Sequence, residues 1–373
     1  MSLYTRSFLV LLVSISLCFS SFYVLLPTLP LYVQHIGGTQ EEAGIVVGIL
    51  TLSAVLFRPY FGRVTDRKGR RPMLLAGVFL VLVSSALYGL ASDVVALILV
   101  RIIHGTGIAA FTTASLAMIA DMSPSSRRGE AFGAFGMAAM ITLSAAPAAG
   151  TWVADHYLFR GMFLMTVALA ALSSVLCLTV RETLVHPKQA TGGSLEGTYL
   201  PSVIIMLCTI TFGAIVAFLP FFAENIPDFG LYYTAYALAS VAVRLPLGRI
   251  SDRVGHTRII LPGMLVLSAA LALLSQSRAF WMLMVSGVLY GVGFSSVYPS
   301  LTALLVERVR DDARARGLAW FTASFDLGIT VGSFAFGFIP LGMIYPAGAL
   351  IVLGGAGLFL AVEFVRVHPR SPG

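Results

Sequence analysis

The chain has 373 residues, of which 58% are hydrophobic and only 11% are charged, whereas a soluble domain has roughly 25% charged residues. Its mean hydropathy of +0.91 excludes an ordinary soluble protein and indicates a protein that spans a membrane. The net charge of +7 would also suit a nucleic-acid-binding protein, so the positions of the basic residues must decide what the charge means.

Apolar runs long enough to cross a bilayer as helices, about 20 residues each, follow one another along the chain. A membrane β-barrel would show short alternating segments instead. The first run is longer than the roughly 7 to 15 residues of a signal-peptide core, so we expect it to be retained. We predict twelve spans, numbered in chain order, near residues 7–33, 43–61, 72–92, 94–120, 130–153, 158–180, 199–223, 230–248, 258–277, 279–306, 316–341 and 343–365.

Lys and Arg residues are concentrated in alternate loops, those that follow spans 2, 4, 6, 8 and 10. By the positive-inside rule, these loops and both termini face the cytoplasm. Topology therefore explains the basic charge, and we expect no nucleic-acid partner. The three cysteines lie far apart within apolar runs, which suggests neither a disulfide nor a metal site; we expect no cofactor. The basic loop residues are Arg63, Arg67, Lys68, Arg70, Arg71, Arg127, Arg128, Lys188, Arg249, Arg253, Arg258, Arg308, Arg310 and Arg314.

The two halves of the chain repeat one another at a shift of about 186 residues. The shift places Arg58, Gly62, Arg63, Asp66, Arg67 and Gly69 on Arg244, Gly248, Arg249, Asp252, Arg253 and Gly255, and places Gly105 and Gly107 on Gly291 and Gly293. We predict an N-terminal bundle (1–181), a cytoplasmic linker (182–198) and a C-terminal bundle (199–373). Because each half has an even number of spans, both run in the same direction, as parallel repeats do in one transporter architecture.

The segment GRVTDRKGRR, from Gly62 to Arg71, fits the pattern Gly-x-x-x-Asp-Arg-x-Gly-Arg-Arg, and a weaker copy follows span 8. On these motifs the chain resembles the major facilitator superfamily over essentially its whole length, and within it the drug/proton antiporter-like branch. The resemblance implies an all-α membrane protein with twelve transmembrane helices in two six-helix pseudo-symmetric bundles. It also implies secondary transport by alternating access. The sequence shows no nucleotide-phosphate loop, metal-ligand cluster or nucleophile arrangement, so we expect no enzyme activity.

The repeated loop resembles the family's cytoplasmic gate, whose contacts form in the outward-open state and break in the inward-open state. Glycines at 62 and 248 would let helices of the two halves approach closely. Asp66 would then face the start of span 11, and Asp252 the start of span 5. Alternatively, Arg67, Arg70 and Arg71 only hold topology. The predicted gating residues are Gly62, Asp66, Arg67, Gly69, Arg70, Arg58, Gly248, Asp252, Arg253 and Arg244.

Ionisable residues inside the membrane cost about 2.5 kcal/mol or more and are functional candidates by default. Burial raises a carboxyl pKa and a neighbouring Arg lowers it, so Asp326 in span 11 is predicted to bind and release one proton per cycle. The alternative is a permanent ion pair with Arg58, since spans 2 and 11 should be neighbours in this fold.

Arg101 in span 4, followed by Gly105 and Gly107, matches a family signature. In proton-coupled members this Arg is linked to coupling or to substrate contact, and here it could tune a carboxylate. Alternatively it only caps backbone carbonyls. His104 lies on the same helical face and either titrates or is simply hydrogen-bonded. The two glycines are expected to serve close helix packing.

The stretch LSAAPAAGTW in span 5 resembles the antiporter signature of the superfamily. Pro147 and Gly150 match it, whereas Ala146 and Thr151 replace glycines, and this departure weakens the inference of export. Proline there bends the helix.

By the family pattern, spans 1, 4, 7 and 10 line the cavity, with Tyr23, Tyr290 and Tyr298 as candidates and Glu224 at its outer end. This lining suits a small amphipathic compound. We therefore predict a monomer in the inner or plasma membrane of a prokaryote that exports such a compound in exchange for protons. A proton-independent facilitator or importer, or a lipid or glycolipid flippase on the same scaffold, are the alternatives.

Overall fold

The computed structural model describes residues 3–124, 127–184, 197–310 and 313–367, and within them all regular structure is helical. Span 1 comprises two helices that meet at Val24. Spans 5 and 6 are two helices within the 52-residue stretch Arg128–Thr179, and they meet at Leu158, where φ is 60° and ψ is 177°. In chain order the helices are Arg6–Tyr23, Leu25–His35, Gln40–Lys68, Arg70–Tyr88, Val94–Met122, Arg128–Thr179, Tyr199–Phe222, Leu231–Val254, His256–Ser275, Phe280–Arg308, Arg314–Ala335 and Leu341–Val367.

Ten helical stretches of the described chain are long and apolar enough to cross a membrane. The 52-residue stretch holds two spans, and Leu231–Val254, which is span 8, supplies the twelfth. The prediction of twelve helical spans is therefore confirmed. The junction of spans 5 and 6 is at Leu158, where span 6 was predicted to begin.

Local chemistry sets several helix ends. Thr39 and Glu42 form a capping box at the start of span 2, and the Asp93 side chain accepts a hydrogen bond from the Ala96 N–H at the start of span 4. Gly69 and Gly255 separate spans 2 and 3 and spans 8 and 9, with φ values of 113° and 93°. Glycine adopts this region readily, so the sequence repeat places the same turn in both halves.

The repeat is also visible in the packing of spans 4 and 10. A Cβ atom at Gly105 would clash with the Leu50 carbonyl of span 2, and one at Gly291 would clash with the Tyr236 carbonyl of span 8. A Cβ at Gly107 would lie 3.0 Å from the Gly77 carbonyl oxygen, and one at Gly293 would lie 2.9 Å from that of Gly263. Each half thus packs its fourth helix against its second and third through equivalent glycines.

The side of the molecule that carries the loops after spans 2, 4, 6, 8 and 10 is called the basic side here, and the other the opposite side. The two bundles touch on the opposite side. Gly44 and Gly48 of span 2 abut Ser333 and Phe334 of span 11. The Thr234 hydroxyl of span 8 donates a hydrogen bond to the Ser144 carbonyl of span 5.

On the basic side the bundles are apart. A Cβ placed on Gly62 of span 2, or on Gly129 or Gly133 of span 5, would have no described atom within 4 Å. The protein is therefore closed on the opposite side and open on the basic side.

Candidate functional site

Spans 2 and 11 meet along a series of contacts that ends in an ion pair. The Thr51 and Thr330 hydroxyls lie 2.9 Å apart. Further toward the basic side, the Arg58 Nη1 donates to Asp326 Oδ2, and these side chains are 28% and 13% exposed. One turn beyond Arg58, Gly62 has open space around it. The pair therefore joins the two bundles where their helices separate, and it matches the partner that the sequence suggested for Asp326.

Aromatic rings surround this ion pair on the side of span 10. The ring of Tyr298 contacts those of Phe321 and Phe325, each with centroids 5.7 Å apart, and Phe325 precedes Asp326 in the chain. Tyr298 also lines, together with Arg244, a cavity that opens toward the basic side. Tyr298 thus connects the ion pair to the open space between the bundles.

A cavity of about 480 Å³ opens beside Tyr298 toward the basic side. At its rim, His256 Nε2 lies 3.2 Å from Glu307 Oε1. The cavity is lined by Arg244, His256, Tyr298, Pro299, Thr302, Ala303, Val306 and Glu307.

Arg101 and His104 lie buried within the N-terminal bundle. Arg101 Nε donates to the Val46 carbonyl at 2.9 Å, and Nη2 donates to the Val47 carbonyl at 3.3 Å. His104 Nδ1 lies 2.9 Å from the Tyr88 hydroxyl. Within the described part of the chain, no carboxylate pairs with Arg101. Its contacts are those of the carbonyl-capping alternative, because the close approach of span 4 at Gly105 brings carbonyls of span 2 within reach.

The signature loop binds its own bundle in this conformation. The buried Arg70 guanidinium donates to Asp66 at 2.6 Å, to Asp121 at 3.1 Å and to the Thr65 carbonyl at 2.8 Å. The expectation that Asp66 faces the start of span 11 therefore does not describe this state. With the bundles apart, Arg70 is the cation within its reach, and Gly62 has no helix against it.

Two further groups fix the loop to the end of span 6. Arg71 donates to the carbonyls of Leu178 and Val180 at 3.0 and 2.8 Å. The Glu182 carboxylate accepts four backbone N–H bonds, two of them from Arg70 and Arg71 at the start of span 3. Burial raises the pKa of the Glu182 carboxyl, but these donors lower it by more, so that its pKa lies below the ordinary value.

The second copy of the loop is described only in part. Gly248 and Asp252 belong to the helix of span 8, but their surroundings lie outside what the structure describes, so the predicted contact of Asp252 with span 5 stays a prediction. Arg67 and Arg253 are exposed. Gly69 lies so close to Glu182 that a Cβ there would be 2.6 Å from Oε2.

The remaining candidates are dispersed. The Tyr290 hydroxyl is buried 2.9 Å from that of Thr211, whereas Tyr23 is half-buried beside Phe19 and Phe22. Glu224 is exposed at the end of span 7.

The span 5 signature has a packing role. Pro147 lies inside the helix, and a Cβ on Gly150 would lie 2.5 Å from the Val24 carbonyl, where span 1 is divided. The signature thus sets the contact between spans 5 and 1.

Sequence reasoning missed several acids that bind the side chains or the backbone N–H groups of arginines. Asp121 and Glu182 lie at the ends of spans 4 and 6, and Glu363 in span 12 pairs with Arg308 at 2.6 Å. Each of these acids stands out in the sequence, because it lies in an otherwise basic region. The topology rule counts only Lys and Arg, so it did not draw attention to them.

A model of the Major Facilitator Superfamily matches residues 11–229 and 201–373, and so covers nearly the whole chain. The chain belongs to the major facilitator superfamily. It is accordingly a multi-pass membrane transporter of small molecules, not an enzyme, and the twelve-helix, two-bundle architecture is the major facilitator fold.

Relatives within the superfamily are distant. The uncharacterized MFS-type transporter MJ1560 of Methanocaldococcus jannaschii is 26% identical over 331 residues, which cover 84% of this chain and 86% of the relative. The Multidrug resistance protein MdtG of Citrobacter koseri is 24% identical over 337 residues, 84% of this chain and 83% of that protein. The crystal structure of the nucleoside transporter NupG superposes with a TM-score of 0.80 at 16% identity, covering 95% and 99% of the two chains.

Proposed function

We propose that this major facilitator exports a small amphipathic organic compound in exchange for protons, and that Asp326 carries the proton. The observation that carries the proposal is the Arg58–Asp326 ion pair, because it crosses between the two bundles. A bond of this kind is formed or broken by the motion that alternates access.

The proposed cycle uses elementary electrostatics. A buried carboxyl group that loses its cationic partner binds a proton more tightly, and one that regains the cation releases it. When the bundles rock, spans 2 and 11 part at Thr51 and Thr330 on the opposite side and approach each other at Gly62. We propose that this change of packing shifts Arg58 out of reach of Asp326, whose carboxylate then takes up a proton. Return to the present state restores the pair and releases the proton to the basic side. One proton moving through 100 mV supplies roughly 2.3 kcal/mol.

The proposed direction of transport combines an orientation in the membrane with separate support for export. We place the basic side and both termini in the cytoplasm of a prokaryotic inner membrane, with a monomer as the working unit and with bundles at 1–181 and 199–373 joined by a cytoplasmic linker. Export is supported by the name of the MdtG relative, a multidrug resistance protein, and by the partial antiporter signature in span 5. In the state open to the opposite side, Gly62 and Asp66 would close on span 11, with the weaker copy at Gly248 and Asp252 closing on span 5.

A facilitator that uses no proton is the second candidate. It is favoured by the same ion pair if the pair persists in every state, since Asp326 is then part of the scaffold.

Reconstitution in liposomes that contain a pH-sensitive dye separates the two candidates. A proton gradient is imposed and a panel of amphipathic amines, neutral aromatics and carboxylates is added to the native protein, to Asp326→Asn and to Asp93→Asn. The last variant is a matched control, because Asp93 is an exposed helix cap and Asn caps equally well. Solute-dependent proton flux lost only in Asp326→Asn supports the antiporter. Solute movement indifferent to pH and to that substitution identifies a facilitator.

A further inference from the structure

Two arginines that are equivalent in the sequence repeat have different surroundings in the structure. Arg58 and Arg244 are equivalent in the sequence repeat, yet only Arg58 has a carboxylate partner. Arg244 makes no hydrogen bond or ion pair with any residue that the structure describes, and it lines the cavity on the basic side.

The helix that faces Arg244 explains the difference. A Cβ on Gly136 of span 5 would lie 3.6 Å from Arg244 Nη1, so span 5 faces Arg244 as span 11 faces Arg58. The residues 186 to 188 positions before Asp326 are Met140, Ala139 and Ala138 of span 5, and none of them is acidic. The acids of this part of the chain are elsewhere: Glu130 pairs with Arg127 near the start of the helix, and Asp155 lies at the far end of span 5. No acid of span 5 therefore stands at the depth of Arg244.

The rest of the cavity offers an apolar surface to whatever binds this cation. Tyr298, Pro299, Ala303 and Val306 follow one another along the face of span 10 that lines the cavity. The carboxylate of Glu307 lies at the rim beside His256, and by the rise of the helix it is about 13 Å along span 10 from Tyr298. Among the residues that line the cavity, Arg244 is thus an exposed cation without a carboxylate partner, and the one carboxylate, that of Glu307, lies at the rim.

We propose that Arg244 binds the anionic group of an amphipathic organic monoanion, whose apolar body lies along Tyr298, Pro299, Ala303 and Val306. The substrate supplies the charge that Asp326 supplies in the other half of the repeat. A cation that faces a cavity of low polarity gains most from a charge-assisted hydrogen bond, and a multiply charged anion would find no second unpaired cation at this depth among the described residues. The proposal rests on the transport function proposed above and adds the substrate class to it.

Binding of matched ligand pairs tests this assignment without any transport step. The full chain is placed in phosphatidylcholine nanodiscs, so that no anionic lipid competes. Equilibrium dialysis then compares each carboxylate with its neutral amide: naphthalene-1-acetate with naphthalene-1-acetamide, and octanoate with octanamide. Hydrogen bonds to charged groups are strong enough that we expect the carboxylate to bind about tenfold more tightly than the amide.

Three variants locate the preference. Arg244→Gln removes the charge and is expected to bind acid and amide equally, while Arg244→Lys keeps most of the preference. Arg258→Gln, at an exposed arginine in the first turn of span 9 outside the cavity lining, is the matched control and leaves the preference unchanged. Unchanged elution of each variant in size-exclusion chromatography verifies that it is folded.

The proposal is overturned if no carboxylate binds the native protein more tightly than its amide, or if Arg244→Gln keeps the preference. Asp326→Asn is included to separate the two proposals. A carboxylate preference that survives in Asp326→Asn, together with an absence of solute-dependent proton flux for the native protein in liposomes, would refute proton coupling and leave the Arg244 site supported. Proton-coupled transport of amines without a carboxylate preference would support proton coupling and refute the Arg244 site.

Discussion

Arg58 of span 2 and Asp326 of span 11 form an ion pair between the two bundles, at the depth where the helices separate toward the basic side. Beyond it, the signature loop binds its own bundle. The state described here is therefore held together by contacts on the opposite side that end in this pair, and its stability and its exchange with other states can be tested separately.

Exchanging the two charges tests the pair itself. Breaking a largely buried pair by reversing one charge costs up to about 3 kcal/mol, so we expect Arg58→Asp and Asp326→Arg each to lower Tm by several degrees. The double variant should regain most of the loss, because the pair is restored in reverse. Thermal unfolding in detergent measures this, with the exposed Arg278→Asp as control. Additive losses in the double variant would show that the pair does not stabilise this state.

A disulfide between spans 2 and 11 should stop the transport cycle. The hydroxyl oxygens of Thr51 and Thr330 are 2.9 Å apart, so cysteine sulfurs at these positions can meet in the closed state. We expect oxidised Thr51→Cys/Thr330→Cys to lose transport and to regain it on reduction. The native Cys18, Cys177 and Cys208 are buried and do not compete. Full transport by the cross-linked protein would mean that spans 2 and 11 need not separate.

Two glycines of span 2 should have opposite effects on the conformational equilibrium. A Cβ on Gly44 would collide with the Ser333 carbonyl and lie 3.0 Å from the Phe218 ring, whereas one on Gly62 meets open space. We therefore expect Gly44→Val to favour the state open on the opposite side and Gly62→Val to favour the present state. Each factor of ten in population corresponds to about 1.4 kcal/mol.

Distances between spin labels at the two ends of spans 2 and 11 would measure these populations. Labels on the opposite side should move apart in Gly44→Val and stay close in Gly62→Val. Identical distance distributions in the two variants would contradict the assignment of the closed side.

The stabilising effect of Glu182 should depend on pH in one direction. Because its pKa is lowered in the folded protein from the ordinary 4.5, its contribution is present above that value and is lost as the pH falls through the lower folded value. We expect Glu182→Gln to reduce stability by about 1 kcal/mol or less at neutral pH, since the side chain is partly exposed. The difference should vanish in acid.

Thermal unfolding of the native protein and Glu182→Gln from pH 7 to pH 3 would check this. Glu224→Gln is the matched control, because Glu224 is exposed and has no hydrogen bond among the described residues. A difference between the native protein and Glu182→Gln that grows below pH 4.5 would refute the proposed cap.

The sequence by itself determined the twelve spans, the twofold repeat and the glycines that pack span 4 and span 10. These features follow from local physics: hydropathy must match the thickness of a bilayer, and a helix that crosses another closely cannot carry a Cβ at the contact. Gly69 and Gly255 could also be recognised as equivalent positions of the repeat. A turn with a positive φ favours glycine, so the same turn in both halves keeps the same residue.

Only the tertiary structure decided which partner each charged side chain has. Asp66 bonds Arg70 instead of span 11, Arg101 bonds carbonyls of span 2, and Arg244 remains unpaired among the described residues although its equivalent Arg58 is paired. The physical reason is that an ion pair depends on the separation of groups far apart in the chain, and in a protein with two bundles that separation changes between states. The sequence encodes the charges for every state of the cycle, and a single structure shows which of them are satisfied in one.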